Sequence, residues 1–328
     1  MTGFPIAKAL RSGIRLGVIQ DGYGQDVADS FDQASALASA VFFDFNIPST
    51  LYWQGKQDDY SLASDFGPLR PPYPAIWAEW EIPASIRLKG DLYPDFPMPW
   101  SRVAAFVQEG SPSDIGAPVR ALPVRATREG EQVLRRIRSL ASDANADLVS
   151  VNVTLFFLRA DGTPELVPHL HGILIDTKTG RYVLDSVFGV YSTDYKTDQE
   201  KWFIKSILGL HINVVFLALT LINCRNVTTR EAGSAFARSG REKRLGVPRV
   251  KYRTIVLPGE KPQCSGRKYL GGADRGLAVH RVRGHFKTFA AESPLMGQHV
   301  GTYWWGWQVR GNRDHGVVVA DYKVGGGA

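Results

Sequence analysis

The pattern of apolar and polar residues along the chain predicts a mixture of helices and strands. Residues Ser30–Phe45 have the spacing of a helix, with Asp29 or Ser30 as its N-cap. The most apolar segment is Gln199–Cys224, but polar residues interrupt it before it reaches the roughly 20 apolar residues that a membrane span needs. A helix buried in the core is therefore predicted there. Runs rich in β-branched and aromatic residues predict strands over Arg102–Gln108, Leu148–Arg159, Leu166–Asp176, Arg181–Val190, Lys251–Leu257, His280–Thr288, Thr302–Arg310 and Val317–Val324.

Two segments have no such regular pattern. Proline and tryptophan are frequent over residues 46–99, which predicts packed, irregular loops with short strands, because proline breaks both helix and sheet hydrogen bonding. The polar and basic segment Asn226–Val247 predicts a linker or a mobile loop. Between the strands, residues 177–180 predict a turn that pairs Asp176 with Arg181, and residues 311–316 predict a second hairpin connection.

Together these elements predict an α+β protein in two parts. Residues 1–198 are expected to form an acidic α+β region with a small antiparallel sheet. Residues 199–328 are expected to form a basic module, in which the apolar helix packs on one face of a four-stranded antiparallel sheet. The number of domains within the first part stays open, as does the oligomeric state.

The distribution of charge adds a functional expectation to this fold. The chain of 328 residues has a net charge of +7. Residues 225–287 contain sixteen Lys or Arg against four acidic residues, whereas residues 1–224 carry five more acidic than basic residues. Clustered cations gain affinity for a polyanion by releasing the counterions condensed on its phosphates. The basic segment therefore predicts a nucleic-acid partner, with an acidic host or phage protein as the alternative partner.

Alternation along the predicted C-terminal strands sorts their residues by face. In His280–Thr288, apolar residues such as Phe286 share one face and basic residues occupy the other. In Thr302–Arg310, the row containing Trp305 is predicted to face the helix, which leaves Trp304 outward. Cations beside an exposed ring suit RNA or single-stranded DNA, because the phosphates pair with the cations while the bases stack on the ring. The predicted nucleic-acid contacts are Arg241, Lys243, Arg244, Arg249, Lys251, Arg253, Arg281, Arg283, His285, Lys287, Trp304 and Arg310.

The same region resembles a group of known sequences. The block 280–287 reads His-Arg-Val-Arg-Gly-His-Phe-Lys, and Pro-Leu-Met-Gly at 294–297 and Gly-Thr-Tyr-Trp-Trp at 301–305 follow it. These motifs are similar to those of a family of proteins from phages and integrated elements. The resemblance extends from about Asn213 onward. It implies a mobile-element origin and brings no assigned activity with it.

A competing interpretation rests on His169 and His171. Two histidines separated by one residue on a strand share a face, where their imidazoles can bind one divalent cation. The string 168–175 is similar to the two-histidine motif of rolling-circle replication initiators and relaxases, in which the metal polarises a phosphodiester that a tyrosine attacks. Tyr191 or Tyr195 would be the nucleophile here. The spacing of 24 residues from His171 to Tyr195 is short for that family, and no carboxylate is predicted opposite the histidines, which favours ordinary buried histidines.

The remaining composition bears on compartment and cofactors. Cys224 and Cys264 cannot form a disulfide framework, and neither has a partner at zinc spacing. The first residues contain no apolar signal segment, so a cytoplasmic protein without membrane contact is expected, in the host cell if phage-encoded. Nucleic-acid binding implies no cofactor, and only the two-histidine endonuclease implies a divalent metal. No catalytic residue is assigned, and whether the protein is an enzyme stays open.

Overall fold

The computed structural model describes residues 4–14, 17–18, 32–57, 68–83, 100–110, 135, 139, 147–176, 182–185, 198–246, 249–258, 278–282, 284–306, 308–310 and 312–317. Its helices, α1 to α5, span Pro5–Arg11, Gln33–Ser39, Asn46–Gln57, Asp198–Asn223 and Gly240–Arg244. Its strands, β1 to β14, span Gly17–Val18, Val41–Asp44, Ala75–Glu81, Trp100–Gly110, Leu148–Arg159, Pro164–Asp176, Tyr182–Asp185, Thr228–Ser234, Lys251–Val256, Ala278–Val282, His285–Phe289, Gly301–Trp305, Gln308–Arg310 and Asn312–Val317.

Nine of the described strands form one mixed sheet. Its order is β1-β6-β5-β4-β3-β2-β9-β8, and β7 also pairs with β6. Strand β2 runs parallel to both β3 and β9, and β1 runs parallel to β6, while the other pairs are antiparallel. Two smaller sheets follow in the chain, one of β13, β10 and β14 and one of β11 and β12. Helices combined with a mixed sheet confirm the α+β class.

Helices cover both faces of the large sheet. Strand β3 is buried on both sides from Ala75 to Trp80, so its alternate residues belong to different cores. Ile76 and its neighbours on one face pack with α3 and α4. Trp77 and its neighbours on the other face pack with α1 and α2. The continuous apolar run of β3 therefore reflects burial on both faces, as in sheets with helices on either side.

Several predicted elements are confirmed. Strand β5 has the predicted bounds, Leu148–Arg159, and β6 begins two residues before its predicted start at Leu166. Opposite β6, Ile175 pairs with Tyr182, which is the register that the predicted turn implies. Helix α4 lies within one residue of its predicted bounds at either end, and its residues 214–219 are all buried. None of the described helices is long and apolar enough to cross a membrane.

Three predictions in the first part and the linker need correction. Of the predicted helix Ser30–Phe45, residues 33–39 are helical and Asp32 caps them by accepting the Ser35 N–H, whereas residues 41–44 form β2. Aromatic and β-branched side chains at 41–43 favour a strand that is held between two others. The segment predicted to be irregular contains α3, in which Pro48 lies in the first turn, where no N–H donor is needed. The predicted linker contains β8 and α5.

The four-stranded C-terminal sheet is not seen among the described residues. Strand β9 joins the large sheet between β2 and β8 instead. The predicted strand His280–Thr288 is divided into β10 and β11, and the predicted strand Thr302–Arg310 into β12 and β13, in two different sheets. Residues 312–317 form β14, where the sequence predicts a hairpin connection. Pairing partners far away in the chain decided these divisions, and alternation within one strand does not contain that information.

The predicted boundary after residue 198 coincides with the first turn of α4. Across this boundary β9 is hydrogen-bonded to β2, with Phe43 opposite Arg253. Helix α4 packs in the same core as strands of the first part. The basic segment is therefore attached to a sheet that residues from both predicted parts build together.

Candidate nucleic-acid interface

The hairpin of β11 and β12 places the predicted contacts on two different faces. His285 lies opposite Trp305, and Lys287 lies opposite Tyr303. Residues directly opposite each other in an antiparallel pair point to the same side. We call this side the outer face, and it consists of His285, Lys287, Phe289, Tyr303 and Trp305.

Trp304 belongs to the inner side of the hairpin, so its predicted outward orientation is wrong. Its side chain is only 5% exposed and belongs to the core that contains α4. Trp304 lies opposite Phe286, and the two ring centres are 4.8 Å apart. Because Phe286 faces the core, its cross-strand partner must face the core as well. Gly284 allows this arrangement, since an added Cβ there would lie 2.6 Å from the Trp304 ring.

The outer face combines aromatic rings with one ammonium group. The His285 and Trp305 rings are nearly parallel, at 15°, with their centres 6.5 Å apart. The Lys287 Nζ lies 5.0 Å from the Phe289 ring centre and 5.9 Å from the Trp305 ring centre. Tyr303 meets Phe289 edge-on, with the ring centres 5.9 Å apart. Lys287 is exposed and the four rings are half-buried, so both the cation and the ring surfaces are accessible.

Three rings of this face, Phe289, Tyr303 and Trp305, are absent from the predicted contacts. The orientation of His285 and Lys287 away from Phe286 follows the predicted alternation. The wrong orientation of Trp304 arose in β12, where tyrosine and tryptophan occupy three successive positions. Either set of alternate residues could therefore form an apolar inner side. The register across the hairpin was the missing information, since it pairs Trp304 with Phe286.

Arg225 is a further cation at this site that the sequence interpretation missed. It lies two residues after the end of α4, and its backbone N–H donates to the Thr302 carbonyl at 2.9 Å. Its side chain lies against Gly301, where an added Cβ would be 3.1 Å from the arginine Cγ and Nε. Arg225 is exposed, so the end of α4 contributes a positive charge to the edge of the hairpin.

Four of the predicted contacts, between β8 and β9, are at the surface. Arg241, Lys243 and Arg244 lie in the short helix α5 and are exposed, and Arg249 is exposed just before β9. Such side chains can reach phosphates without reorganising a core.

Lys251 and Arg253 have acidic or polar neighbours within the sheet. The Lys251 Nζ lies 2.6 Å from a Glu231 carboxylate oxygen, and the Arg253 guanidinium lies 4.0 Å from the other. Arg253 also donates to the Thr229 hydroxyl at 3.3 Å, and its guanidinium carbon lies 5.7 Å from the Tyr73 ring centre. Glu231 thus offsets part of the positive charge that the sequence assigns to this strand.

The remaining predicted contacts are described only by their backbone or lie outside the described residues. Arg281 lies in β10 opposite Val309, and Arg310 lies in β13 opposite His280. Arg283 lies outside the described residues. The structure thus brings His285 and Lys287 together on the outer face, while Arg241, Lys243 and Arg244 lie together on α5.

The two histidines of the competing interpretation lie in β6, where His171 is opposite Val153. Further along, Gly172 pairs with Asp185 of β7. Tyr191 and Tyr195 lie outside the described residues. Within the described part of the chain, no group of three or more His, Cys, Asp or Glu side chains is arranged to hold a metal ion.

A buried carboxylate at the other face of the sheet was not predicted. Glu79 in β3 is 1% exposed and accepts the backbone N–H groups of Ile6 and Ala7 at the start of α1, at 3.3 and 2.8 Å. It also accepts from the Trp77 indole at 3.1 Å, and the Arg102 Nε lies 3.5 Å away. Burial raises the pKa of Glu79 to about 7. A carboxylate that takes up a proton near neutral pH is typical of functional sites, but here α1 covers it and its contacts hold that helix.

Comparison with known proteins identifies no protein that is similar to this chain. The chain matches no family model, and searches of curated proteins and of solved structures find no match. The function has to be argued from the geometry.

Proposed function

We propose that the protein binds single-stranded nucleic acid, with little preference for sequence, through the outer face of the β11–β12 hairpin. The observation that carries this proposal is the position of Lys287 Nζ, within 6 Å of the ring centres of both Phe289 and Trp305. A cation among accessible rings offers a partner to the phosphate and a stacking surface to the base. Every base has a π-face, so stacking tolerates any sequence.

The form of the hairpin favours a single strand over a duplex. In a duplex the bases stack on one another, and a flat protein surface reaches only the backbone and the groove edges. The rings of His285 and Trp305 lie side by side on an open strand pair, where unstacked bases can lie against them. The hairpin therefore supports a partner whose bases are already free.

The exposed cations of α5 support the same class of partner. Arg241, Lys243 and Arg244 are all at the surface, and Arg225 lies at the edge of the hairpin. Each phosphate contact releases counterions and increases the dependence of affinity on salt. In this proposal the partner is nucleic acid handled by a phage or mobile element, in agreement with the resemblance of the C-terminal motifs.

Fluorescence anisotropy of the full chain with labelled ten-nucleotide oligo(dT) and oligo(rU), over a range of salt, tests the proposal. Trp305→Ala is expected to weaken binding by about five- to a hundredfold, since stacking contributes ~1–3 kcal/mol per base. Lys287→Ala is expected to weaken binding to both oligonucleotides and to reduce the slope of log K against log salt by about 1. Lys8→Ala removes the same charge from α1, on the opposite side of the sheet, and is the matched control.

Two results would contradict the proposal. If both hairpin variants bind as tightly as the parent chain, the contacts lie elsewhere. If the parent chain binds neither oligonucleotide at low salt but co-purifies with one stoichiometric acidic protein, the basic segment is a protein-binding surface.

A further inference from the structure

An open cleft of about 730 Å³ lies at the C-terminal end of α4. Its lining includes Arg70, Tyr73, Glu109 and Asn223, together with prolines 71, 72 and 74. The volume lies in the range of small-molecule sites, which combine apolar walls with a few polar groups. The outer face of the hairpin does not include this cleft, so its chemistry is a separate observation.

Hydrogen bonds fix the two walls of the cleft. The Asn223 side-chain amide donates to the carbonyls of Pro68 and Arg70, at 3.1 and 2.8 Å, and so ties one wall to the end of α4. On the other wall, the Glu109 backbone N–H donates to the Pro74 carbonyl at 2.9 Å. A cleft whose backbone is held in this way does not have to be ordered by the ligand, which favours binding.

The side chains in the cleft match the three parts of a ribonucleotide. The Arg70 guanidinium, with its several donors, can bind a phosphate, and its ion pair with Glu109 at 3.2 Å is accessible to water and easily exchanged. The Glu109 carboxylate accepts hydrogen bonds, which the ribose hydroxyls can donate. The Tyr73 ring is half-buried and also contacts the Arg253 guanidinium and the Phe43 ring, with 5.7 and 6.0 Å to its centre, so a base would stack on the part of the ring that stays exposed.

The cleft lies beside the hairpin. Asn223 lines the cleft, and Arg225, two residues later, is hydrogen-bonded to Thr302 of β12. Consecutive Cα atoms are about 3.8 Å apart, so the cleft wall lies within about 8 Å of the residue that holds the hairpin. The end of α4 is therefore next to both the cleft and the hairpin.

We propose that this cleft binds one ribonucleotide of the bound strand, with its phosphate on Arg70, its ribose 2′-hydroxyl on Glu109 and its base on Tyr73. The proposal rests on the proposed nucleic-acid binding and narrows the partner to RNA, because a deoxyribose lacks the 2′-hydroxyl that would donate a hydrogen bond to Glu109.

The test compares matched oligo(rA) and oligo(dA) of ten nucleotides, together with AMP and dAMP, on the full chain by anisotropy and calorimetry. The parent chain is expected to bind the ribose form at least tenfold more tightly in both pairs. Glu109→Ala is expected to remove this preference, and Arg70→Ala is expected to weaken AMP binding more than tenfold. Asp161→Asn, in the exposed turn between β5 and β6, and Lys8→Ala are the matched controls and are expected to change neither ratio.

The outcomes separate this inference from the proposed function. Equal affinity for ribose and deoxyribose forms in the parent chain, with binding still lost in Trp305→Ala, would overturn the cleft and leave the hairpin interface in place. A ribose preference that survives Glu109→Ala, in a variant with an unchanged melting temperature, would also overturn it. Failure of the parent chain to bind any oligonucleotide would overturn both proposals.

Discussion

The side chain of Asn226 pairs with the backbone of Trp304 as a neighbouring strand would. Its Nδ2 donates to the Trp304 carbonyl at 2.7 Å, and its Oδ1 accepts the Trp304 N–H at 2.9 Å. Both backbone groups are thus satisfied by one amide, three residues beyond the end of α4. This pair holds β12 in the register in which Trp304 faces the core and Trp305 faces outward.

Replacement of Asn226 is expected to loosen the hairpin. Asn226→Asp keeps the shape but removes the donor to the Trp304 carbonyl, and each buried group left without a partner costs ~1–3 kcal/mol. We expect Asn226→Asp to have a lower midpoint in urea unfolding. We also expect it to bind oligonucleotides more weakly, although the side chains of the outer face are unaltered. Asn226→Gln serves as the control for the amide chemistry. Unchanged stability in Asn226→Asp would mean that the reciprocal pair does not hold the strand.

Gly284 is expected to tolerate no side chain. A Cβ there would lie 2.6 and 2.7 Å from two atoms of the Trp304 ring, so the ring would have to move in a packed core. Overpacking of this kind costs ~1–3 kcal/mol, and Gly284→Ala is expected to lower the free energy of unfolding accordingly. At Gly209 in α4 an added Cβ would have no described atom within 4 Å apart from the adjoining backbone of the helix, so Gly209→Ala is the matched control. It is expected to be neutral or stabilising by up to ~1 kcal/mol, because alanine favours the helix.

The docking of α1 on Glu79 is expected to depend on pH. Burial raises the pKa of this carboxyl from 4.5 to about 7, so between these values the folded chain holds a proton that the unfolded chain has released. The contribution of Glu79 to stability is therefore fully present below pH 4.5 and falls as the pH rises through about 7. Charged groups close to it are Arg102, which favours the ionised form, and, through Arg102, Glu81.

Urea unfolding between pH 5 and 8 checks this dependence. Glu79→Gln keeps an acceptor for the N–H groups of Ile6 and Ala7 but cannot ionise, so its stability is expected to vary less over this range. Amide exchange at Ile6 and Ala7 is expected to be faster at pH 8 than the rise in the intrinsic exchange rate explains, because α1 opens more often. A parent chain and a Glu79→Gln variant with the same pH profile would contradict the assignment.

The contribution of His211 to stability is expected to fall as the pH is lowered, which is the opposite of Glu79. His211 is fully buried in α4 among the rings of Trp53, Trp80 and Phe157, with centres 5.3–6.0 Å away, and neither ring nitrogen has a hydrogen-bond partner among the residues that the structure describes. Burial lowers its pKa from 6.5 to about 3, so the unfolded chain binds a proton that the folded chain does not. Its contribution is present above pH 6.5 and is lost as the pH falls towards 3.

The variant His211→Leu removes this ionisable group and two unpaired polar atoms. Replacing an unsatisfied polar group by an apolar one of similar size is often neutral or stabilising, so we expect equal or higher stability at pH 7. Between pH 6 and pH 4 the variant is expected to lose less stability than the parent chain. If His211→Leu loses as much stability between pH 6 and pH 4 as the parent chain, other groups cause the acid destabilisation.

Local sequence patterns were sufficient to predict the type and bounds of elements whose environment is uniform along their length. Strand β5 and helix α4 agree with their predicted bounds to within one residue, since their apolar runs are long and end at clear polar signals. Alternation also placed His285 and Lys287 on the side opposite Phe286. The charge of the basic segment needs no structure at all, and its exposed members on α5 are at the surface as strongly charged side chains usually are.

Contacts between distant segments decided the rest. Which side of β12 is buried depends on its register with β11, because a shift of one residue moves every side chain to the other face. Glu79 is covered by α1, more than seventy residues earlier, whose first turn donates two backbone N–H groups to it. The cleft joins residues near positions 70, 110 and 223, which no window along the chain contains. A sequence specifies local periods directly, whereas the choice among partners depends on the free energy of burying one face against another, which belongs to the folded chain as a whole.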